Sequence, residues 1–359
     1  MKIGIILSGN IESQPYLSYY TDVFDEMNID YDYIGWDRDN ENPQTYNNHK
    51  VISINVKGSI KNNNFRKIYD YWIFAKRVKE HLNKNNYDFL LVHTIVNAVF
   101  LKNYLLKKFS SKFIYDIRDY SPIYPFVKKS VKKLINKSLF TVVSSEGFLE
   151  WLPINSQIIL SHNVAKNNLF VPVEEWKSLN KNSLKILTIG KIRDFYSNQR
   201  VICDLGNKNG LEMIFSGAGI ESEKLKTFAL ENYNNVVFTG SYEKKNETDI
   251  VKPANMINIV LPINILSNTL ISNRFYLAIT HKKPIIVNEE SFQSTFIEKY
   301  NLGLIVKSQE NIYEKIEEYI DHFDYKSFNK GCEDLILIVK KDIEIFENTI
   351  KEKLIQNKK

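Results

Sequence analysis

The feature that most constrains this chain is a rhythm of short apolar runs, each followed by an amphipathic stretch. In the first half the runs are Ile3–Leu7, Tyr31–Trp36, Lys50–Val56, Phe89–His93, Lys112–Ile117, Leu139–Ser144 and Gln157–Leu160. They are too short for core helices and read as buried strands. Between them, Tyr16–Met27, Phe65–Lys84, Ile95–Lys108, Pro125–Asn136 and Gly147–Leu152 carry helical spacing. Strands alternating with helices predict an α/β fold with a parallel sheet covered on both faces.

The rhythm stops at Ala165–Ser183, a polar, Asn-rich stretch that reads as an interdomain linker. It then restarts with Leu184–Ile189, Leu211–Ser216, Val236–Phe238, Ile257–Pro262, Ile285–Val287 and Leu304–Val306, and ends in helical Asn311–His322 and Leu335–Leu354. A length of 359 residues suits two such domains. The predicted organisation is residues 1–164, a linker at 165–183, and residues 184–334. The closing helix, about 335–359, is expected to return to the first domain.

Composition removes several function classes. The formal charge of +6 is too mild to imply a nucleic-acid partner. The two cysteines, Cys203 and Cys332, lack metal-ligand spacing and suit a reducing, cytoplasmic compartment. No apolar run reaches the ~18 residues of a membrane span. The opening MKIGIILSGN reads as a first strand and not as a signal peptide.

In open parallel sheets, ligands bind outside the carboxyl ends of strands. The residues there are therefore the candidates. In SNRFYLAITHKKP, just ahead of the strand Ile285–Val287, a helix opens with Ser272, Asn273 and Arg274. A helix N-terminus with a guanidinium suits phosphate; the same residues also make an ordinary cap with a solvated arginine. Lys191 and Arg193 follow the strand ending at Gly190, and Gly217 and Gly219 follow the next. Gly9 and Asn10 end the first strand, where a glycine admits close backbone approach or simply makes a turn. In the first half, YDIRDY places Asp116, Arg118 and Asp119 at a strand end, with His93 ending the strand before. A carboxylate there can orient a hydroxyl or act as base, and Asp119 lies furthest out. Asp116 can instead pair with Arg118, and His93 and His162 can be structural. No Asp-x-Asp follows a strand in a position to hold a donor metal; DYD at Asp30–Asp32 opens one. No metal and no cofactor are expected.

From Lys102 to Lys137 there are ten Lys or Arg and two acids, Asp116 and Asp119. In PFVKKSVKKLINKSL the apolar residues Val127, Val131, Leu134 and Ile135 share a stripe, with Lys128, Lys129, Lys132 and Lys133 off it. That is either a solvated helix face or a docking face for anionic lipid.

KILTIGKIRDFYSN, EMIFSGAG, VVFTGSY, INIVLPIN and SNRFYLAITHKKPIIV, in that order, resemble the donor half of a GT-B glycosyltransferase. FIYDIRDYSP and FTVVSSEGFLEWL are similar to the N-terminal half of the family-4-like enzymes that build bacterial capsule, O-antigen and exopolysaccharide. The resemblance implies two Rossmann-like domains facing across a cleft. It implies an N-terminal domain for the acceptor, with His93 and Asp116 on that side and Asp119 and Arg118 as catalytic residues. It implies a C-terminal domain for a nucleotide-sugar donor, held by Gly9, Asn10, Lys191, Arg193, Gly217, Gly219, Ser272, Asn273 and Arg274, with Ser241 and Tyr242 at the base. The partners implied are that donor, a saccharide or lipid-linked saccharide acceptor, and the inner face of the cytoplasmic membrane. The implied transfer is metal-independent and retaining. Two glutamates of the family are absent: their positions fall on Thr269 and Leu277. A non-catalytic partner of an active transferase, on the same fold, is the alternative expectation.

Overall fold

A computed structural model describes residues 1–9, 11, 14–38, 42–56, 64–155, 157–170 and 179–357. The chain divides into two compact units. One is Met1–Ala165 together with Lys341–Lys359; the other is Lys166–Lys340.

The first unit is built on β1 (Lys2–Leu7), α1 (Ser18–Glu26), β2 (Asp30–Asp37), β3 (Thr45–Tyr46), β4 (His49–Asn55), α2 (Asn64–Lys84), β5 (Phe89–His93), α3 (Ile95–Lys108), β6 (Phe113–Ile117), α4 (Tyr124–Lys137), β7 (Phe140–Val143) and β8 (Ile158–Leu160). The strands form one sheet in the order β3-β4-β2-β1-β5-β6-β7-β8. Every pairing is parallel except the edge hairpin β3–β4. That hairpin was not legible in the apolar pattern, because both of its β3 residues are at least partly exposed. All residues of β5, β6 and β7 are buried, as a sheet covered on both faces requires. The order reverses between β1 and β5, so the switch point of this sheet lies at their carboxyl ends.

The second unit contains β9 (Leu184–Ile189), α5 (Tyr196–Leu205), β10 (Leu211–Ser216), α6 (Ser222–Asn232), β11 (Val236–Gly240), α7 (Glu247–Val251), β12 (Met256–Asn258), α8 (Ile265–Thr269), α9 (Asn273–Thr280), β13 (Ile285–Asn288), α10 (Ser294–Tyr300), β14 (Gly303–Val306) and α11 (Ile312–Asp321). Its sheet runs β11-β10-β9-β12-β13-β14, parallel throughout, with the switch point between β9 and β12. Ile186, Met213 and Phe215 of the sheet pack with Val201, Ile202 and Leu205 of α5 and Leu225 and Ala229 of α6 in one core. The last helix, α12 (Tyr325–Gln356), belongs to the second unit up to Lys340 and to the first from Lys341. Within the first unit its tail packs Phe346 edge-on to Tyr20, and Asp342 pairs with His162 at 2.9 Å.

β12 is shorter than the apolar run Ile257–Pro262 predicts. Asn258 and Asn288 side chains take the Val260 and Leu261 N–H groups, at 3.0 and 3.2 Å. Side-chain carbonyls thus replace the ladder just where the strand should continue. α9 ends in the way that KKP suggests. Lys282 sits at φ +49, the Lys283 N–H reaches back to the Ala278 carbonyl at 2.8 Å, and Pro284 prevents continuation.

Candidate functional site

In the second unit the candidates gather at the end of β9. Arg274, in the first turn of α9, donates Nε to the Ile189 carbonyl and Nη2 to the Lys191 carbonyl at 3.3 Å. These bonds tie α9 to the strand end beside the switch point. Burial lowers the Arg274 guanidinium to about 10, Tyr242 opposes that, and Arg193 adds to it. The group remains charged at neutral pH. The couplings bring Arg274, Arg193 and Tyr242, read separately from the sequence, into one electrostatic neighbourhood. Lys191, Arg193, Ser241 and Asn273 are exposed. Tyr242 is half-buried, and its hydroxyl donates to Glu247 at 3.1 Å. Burial, then Glu247, raises that hydroxyl, so it stays a neutral donor.

Ser272 behaves as a cap. Its hydroxyl accepts from the Phe275 N–H at 3.3 Å and donates to Gln293 Oε1 at 3.0 Å. Its contribution to any anion is thus to hold the helix mouth rather than to offer a free hydroxyl. The glycines also have an internal reason. A Cβ on Gly217 would lie 1.9 Å from the Gly190 carbonyl oxygen, and one on Gly219 2.0 Å from that of Ile192. Gly217 moreover has φ +139. Both are required by the packing of the β10 loop on the β9 loop, the loop that carries Lys191 and Arg193. Sequence reading missed the buried pair Asn258–Thr188, joined at 2.9 Å across β12 and β9. A polar residue in the last turn of an otherwise apolar strand was the available signal.

The first unit answers differently. Asp116, at the end of β6, is fully buried and ringed by donors. Arg118 Nε lies 2.7 Å from Oδ1, His93 Nδ1 3.2 Å from Oδ2, and the Tyr20 hydroxyl donates to Oδ2 at 2.8 Å. Burial alone would raise this carboxyl; Arg118 and then His93 outweigh it and hold it below its ordinary value. Arg118 is buried too. It donates to the Ser161 carbonyl at 2.8 Å and to Ser161 Oγ at 3.2 Å, and its guanidinium lies 3.9 Å from the Tyr16 ring centroid. A guanidinium so committed positions the strand end and does not meet a reactant. The catalytic reading of Arg118 and the direct acceptor contact of Asp116 therefore give way to a scaffolding part. Of the three charges in DIRD, Asp119 is the exposed one.

The switch point beside this ring holds strained and unsatisfied groups. Thr94, between β5 and α3, has φ +71, an unusual value for a β-branched residue. It caps α3 by accepting from the Asn97 N–H at 3.4 Å. His93 Nε2 and both polar atoms of the Asn97 amide are buried without a protein hydrogen-bond partner. Such atoms call for water or a ligand. A Cβ on Gly9, after β1, would meet Gln14 Nε2 at an ordinary van der Waals distance of 3.9 Å. Asn10 lies outside the described residues. Lys128, Lys129, Lys132 and Lys133 ride on α4, whose buried side is Tyr124, Val131, Leu134 and Ile135. Among the described residues no three His, Cys, Asp or Glu side chains cluster to hold a metal, and no helix is long and apolar enough to cross a membrane.

No family model and no curated protein matches the chain. Solved structures do. The sucrose-phosphate synthase of Thermosynechococcus elongatus superposes with a TM-score of 0.73 at 13% identity, over 99% of this chain and 98% of that one. The Anabaena protein HepE in complex with UDP and glucose gives 0.67 at 12%, over 99% of each. The lipopolysaccharide outer core galactosyltransferase WaaB gives 0.63 at 12%, over 98% of this chain and all of that one. The chain has the GT-B fold of these proteins, two Rossmann-like domains along its full length.

Proposed function

We propose that the chain is a glycosyltransferase that moves a sugar from a nucleotide-diphosphate donor to a saccharide acceptor. The observation that carries this reading is the anchoring of Arg274 on the carboxyl end of β9, next to Arg193 and the mouth of α9, in a GT-B fold. A departing diphosphate needs positive charge, and these groups supply it without a metal. HepE was solved with UDP and glucose, and an E. coli trehalose-6-phosphate protein with UDP-2-fluoro glucose. A UDP-sugar is accordingly the first donor to try. Asp119 is the carboxylate we assign to the acceptor hydroxyl. The finer reading is a lipid-linked acceptor in cell-surface polysaccharide assembly, met at the cytoplasmic membrane through the lysines of α4. Retention of configuration belongs to that same reading.

One observation favours the second reading, a non-catalytic GT-B partner of an active transferase. Thr269 and Leu277, at the positions of the family glutamates, are buried side chains of α8 and α9. Release of nucleoside diphosphate from UDP-, GDP- and dTDP-sugars, followed in the presence of a chelator, separates the two. Turnover is expected, and Asp119→Asn is expected to lower it by about 100-fold, the low end for a lost general base. No release from any donor, with nucleotide binding intact, would establish the partner reading. Release that vanishes in chelator would reassign the diphosphate to a metal.

A further inference from the structure

α2, α3 and α4 lie side by side on the first unit's sheet. Tyr71 of α2 stacks on Phe100 of α3, and Lys102 of α3 donates to Ser130 of α4 at 3.1 Å. Charge is concentrated in this layer. α2 carries six Lys or Arg, α3 three and α4 five, against two acids, Asp70 and Glu80. Since the whole chain is only +6, the remainder of the protein is net acidic. Of the two acids, Asp70 is buried and paired with Arg66 at 3.1 Å.

The solvent side of α2 is not what a merely solvated basic helix needs. Ile68, Tyr69 and Trp72 are each about half exposed, at 48, 49 and 50%. They fall on one face by their spacing of three and four. Tyr69 and Trp72 stack at 6.0 Å, and the Arg66 guanidinium lies 5.4 Å from the Tyr69 ring centroid. Lys76 continues the face, exposed, one turn after Trp72. The opposite side, Phe74, Ala75, Val78 and Leu82, is buried against the sheet. In α4, Phe126 is 90% exposed beside the same lysines that the sequence singled out. Tyr and Trp flanked by Lys and Arg, on a helix whose other face is fixed to a protein core, suit the headgroup boundary of an anionic bilayer.

We infer that α2 is an interfacial membrane anchor, in which Trp72, Tyr69 and Ile68 enter the headgroup and upper acyl region of anionic lipid while Lys76 and the α4 lysines hold phosphates. The inference rests on the proposed membrane association and adds to it a second helix and an apolar component. Lysines alone give binding that salt abolishes. Inserted aromatic surface gives a fraction that salt does not remove.

The test uses the full-length protein with vesicles of phosphatidylcholine and phosphatidylglycerol, with and without brominated acyl chains. With Trp176, which lies outside the described residues, replaced by Phe throughout, brominated lipid is expected to quench the tryptophan fluorescence and Trp72→Phe to remove most of that quenching, since Trp36 and Trp151 are buried. Ile68→Ala/Trp72→Ala is expected to lower vesicle binding at high salt by roughly tenfold or more, whereas replacing the four α4 lysines with Gln acts mainly at low salt. If the parent sediments with the vesicles but Trp72→Phe is quenched equally, the anchor is wrong and lysine docking survives. Failure of the parent to sediment overturns the membrane reading and the anchor together. If the Ile68/Trp72 double variant instead abolishes self-association in ultracentrifugation, the face belongs to a second copy of the chain and the anchor is again overturned.

Discussion

Both units place charged residues just beyond the end of a central parallel strand, yet the two groups end in opposite states. After β6, Asp116 and Arg118 are buried and ion-paired with each other; Asp116 also faces His93 and accepts from Tyr20, and Arg118 donates to Ser161. After β9, Lys191 and Arg193 stay exposed, and Arg274 donates to the main-chain carbonyls of Ile189 and Lys191. The difference is the presence of an acid two residues from the arginine. A carboxylate at that spacing neutralises the guanidinium and lets both be covered, provided every lone pair is met. Without one, the cation must keep a route to water or to an anion. A buried ion ring fixes a strand end; an unneutralised cation at a helix mouth attracts phosphate.

The larger loss is expected from disturbing the ion ring of the first unit. Asp116→Asn removes the charge that balances Arg118 and leaves a buried, unpaired guanidinium. A loss of about 3–5 kcal/mol is expected in chemical denaturation followed by circular dichroism. A loss below 1 kcal/mol would mean that Arg118 reaches solvent and that the scaffolding reading fails.

The matching change in the second unit should spare stability and strike ligand binding. Arg274→Ala is expected to weaken a nucleoside diphosphate by ~1.5–3 kcal/mol, about 10- to 100-fold in Kd. Lys191→Ala and Arg193→Ala, on exposed side chains, should each cost less. Calorimetric titration of the folded variants decides this, and an unchanged Kd for Arg274→Ala would remove the diphosphate from this strand end.

A smaller effect is expected where burial acts on a lysine of the second unit. Lys283, buried at the start of β13's approach, donates Nζ to the Lys252 carbonyl at 2.9 Å, and burial lowers it to about 8. Its ordinary value is 10.5, so between pH 8 and about 10 the unfolded chain binds more protons than the folded one. Stability should therefore rise with pH across that window, and the cost of the buried charge is fully present below pH 8. Relative to the parent, Lys283→Met should flatten the rise by roughly 1–2 kcal/mol. Thermal denaturation of both proteins at several pH values reads the slope. Equal slopes would show that Lys283 is hydrated in the fold.

The strands and their parallel arrangement were legible because their apolar runs are continuous, and α9 and α11 announced themselves, α9 with Ser272 and Lys282-Lys283-Pro284 and α11 with Asn311. The short helices α7, α8 and α10 were not, since seven or fewer residues give periodicity too little room. Position at a strand end was equally readable, and it selected Lys191, Arg193, Asp116, Arg118 and Asp119. Sequence could not say which of these faces outward. Whether an arginine is free depends on its neighbours in space. For Arg118 those are His93 and Ser161, 25 and 43 residues away along the chain; for Arg274 they are the carbonyls of Ile189 and Lys191, more than 80 residues before it. Likewise the glycines at 217 and 219 look like ligand-binding glycines in one dimension. Only the folded loops reveal the main-chain carbonyls of Gly190 and Ile192 pressed against them. A chain's own pattern determines what each residue can become, through periodicity and local capping; partners distant in sequence determine what it is, because charge and steric contact act through space.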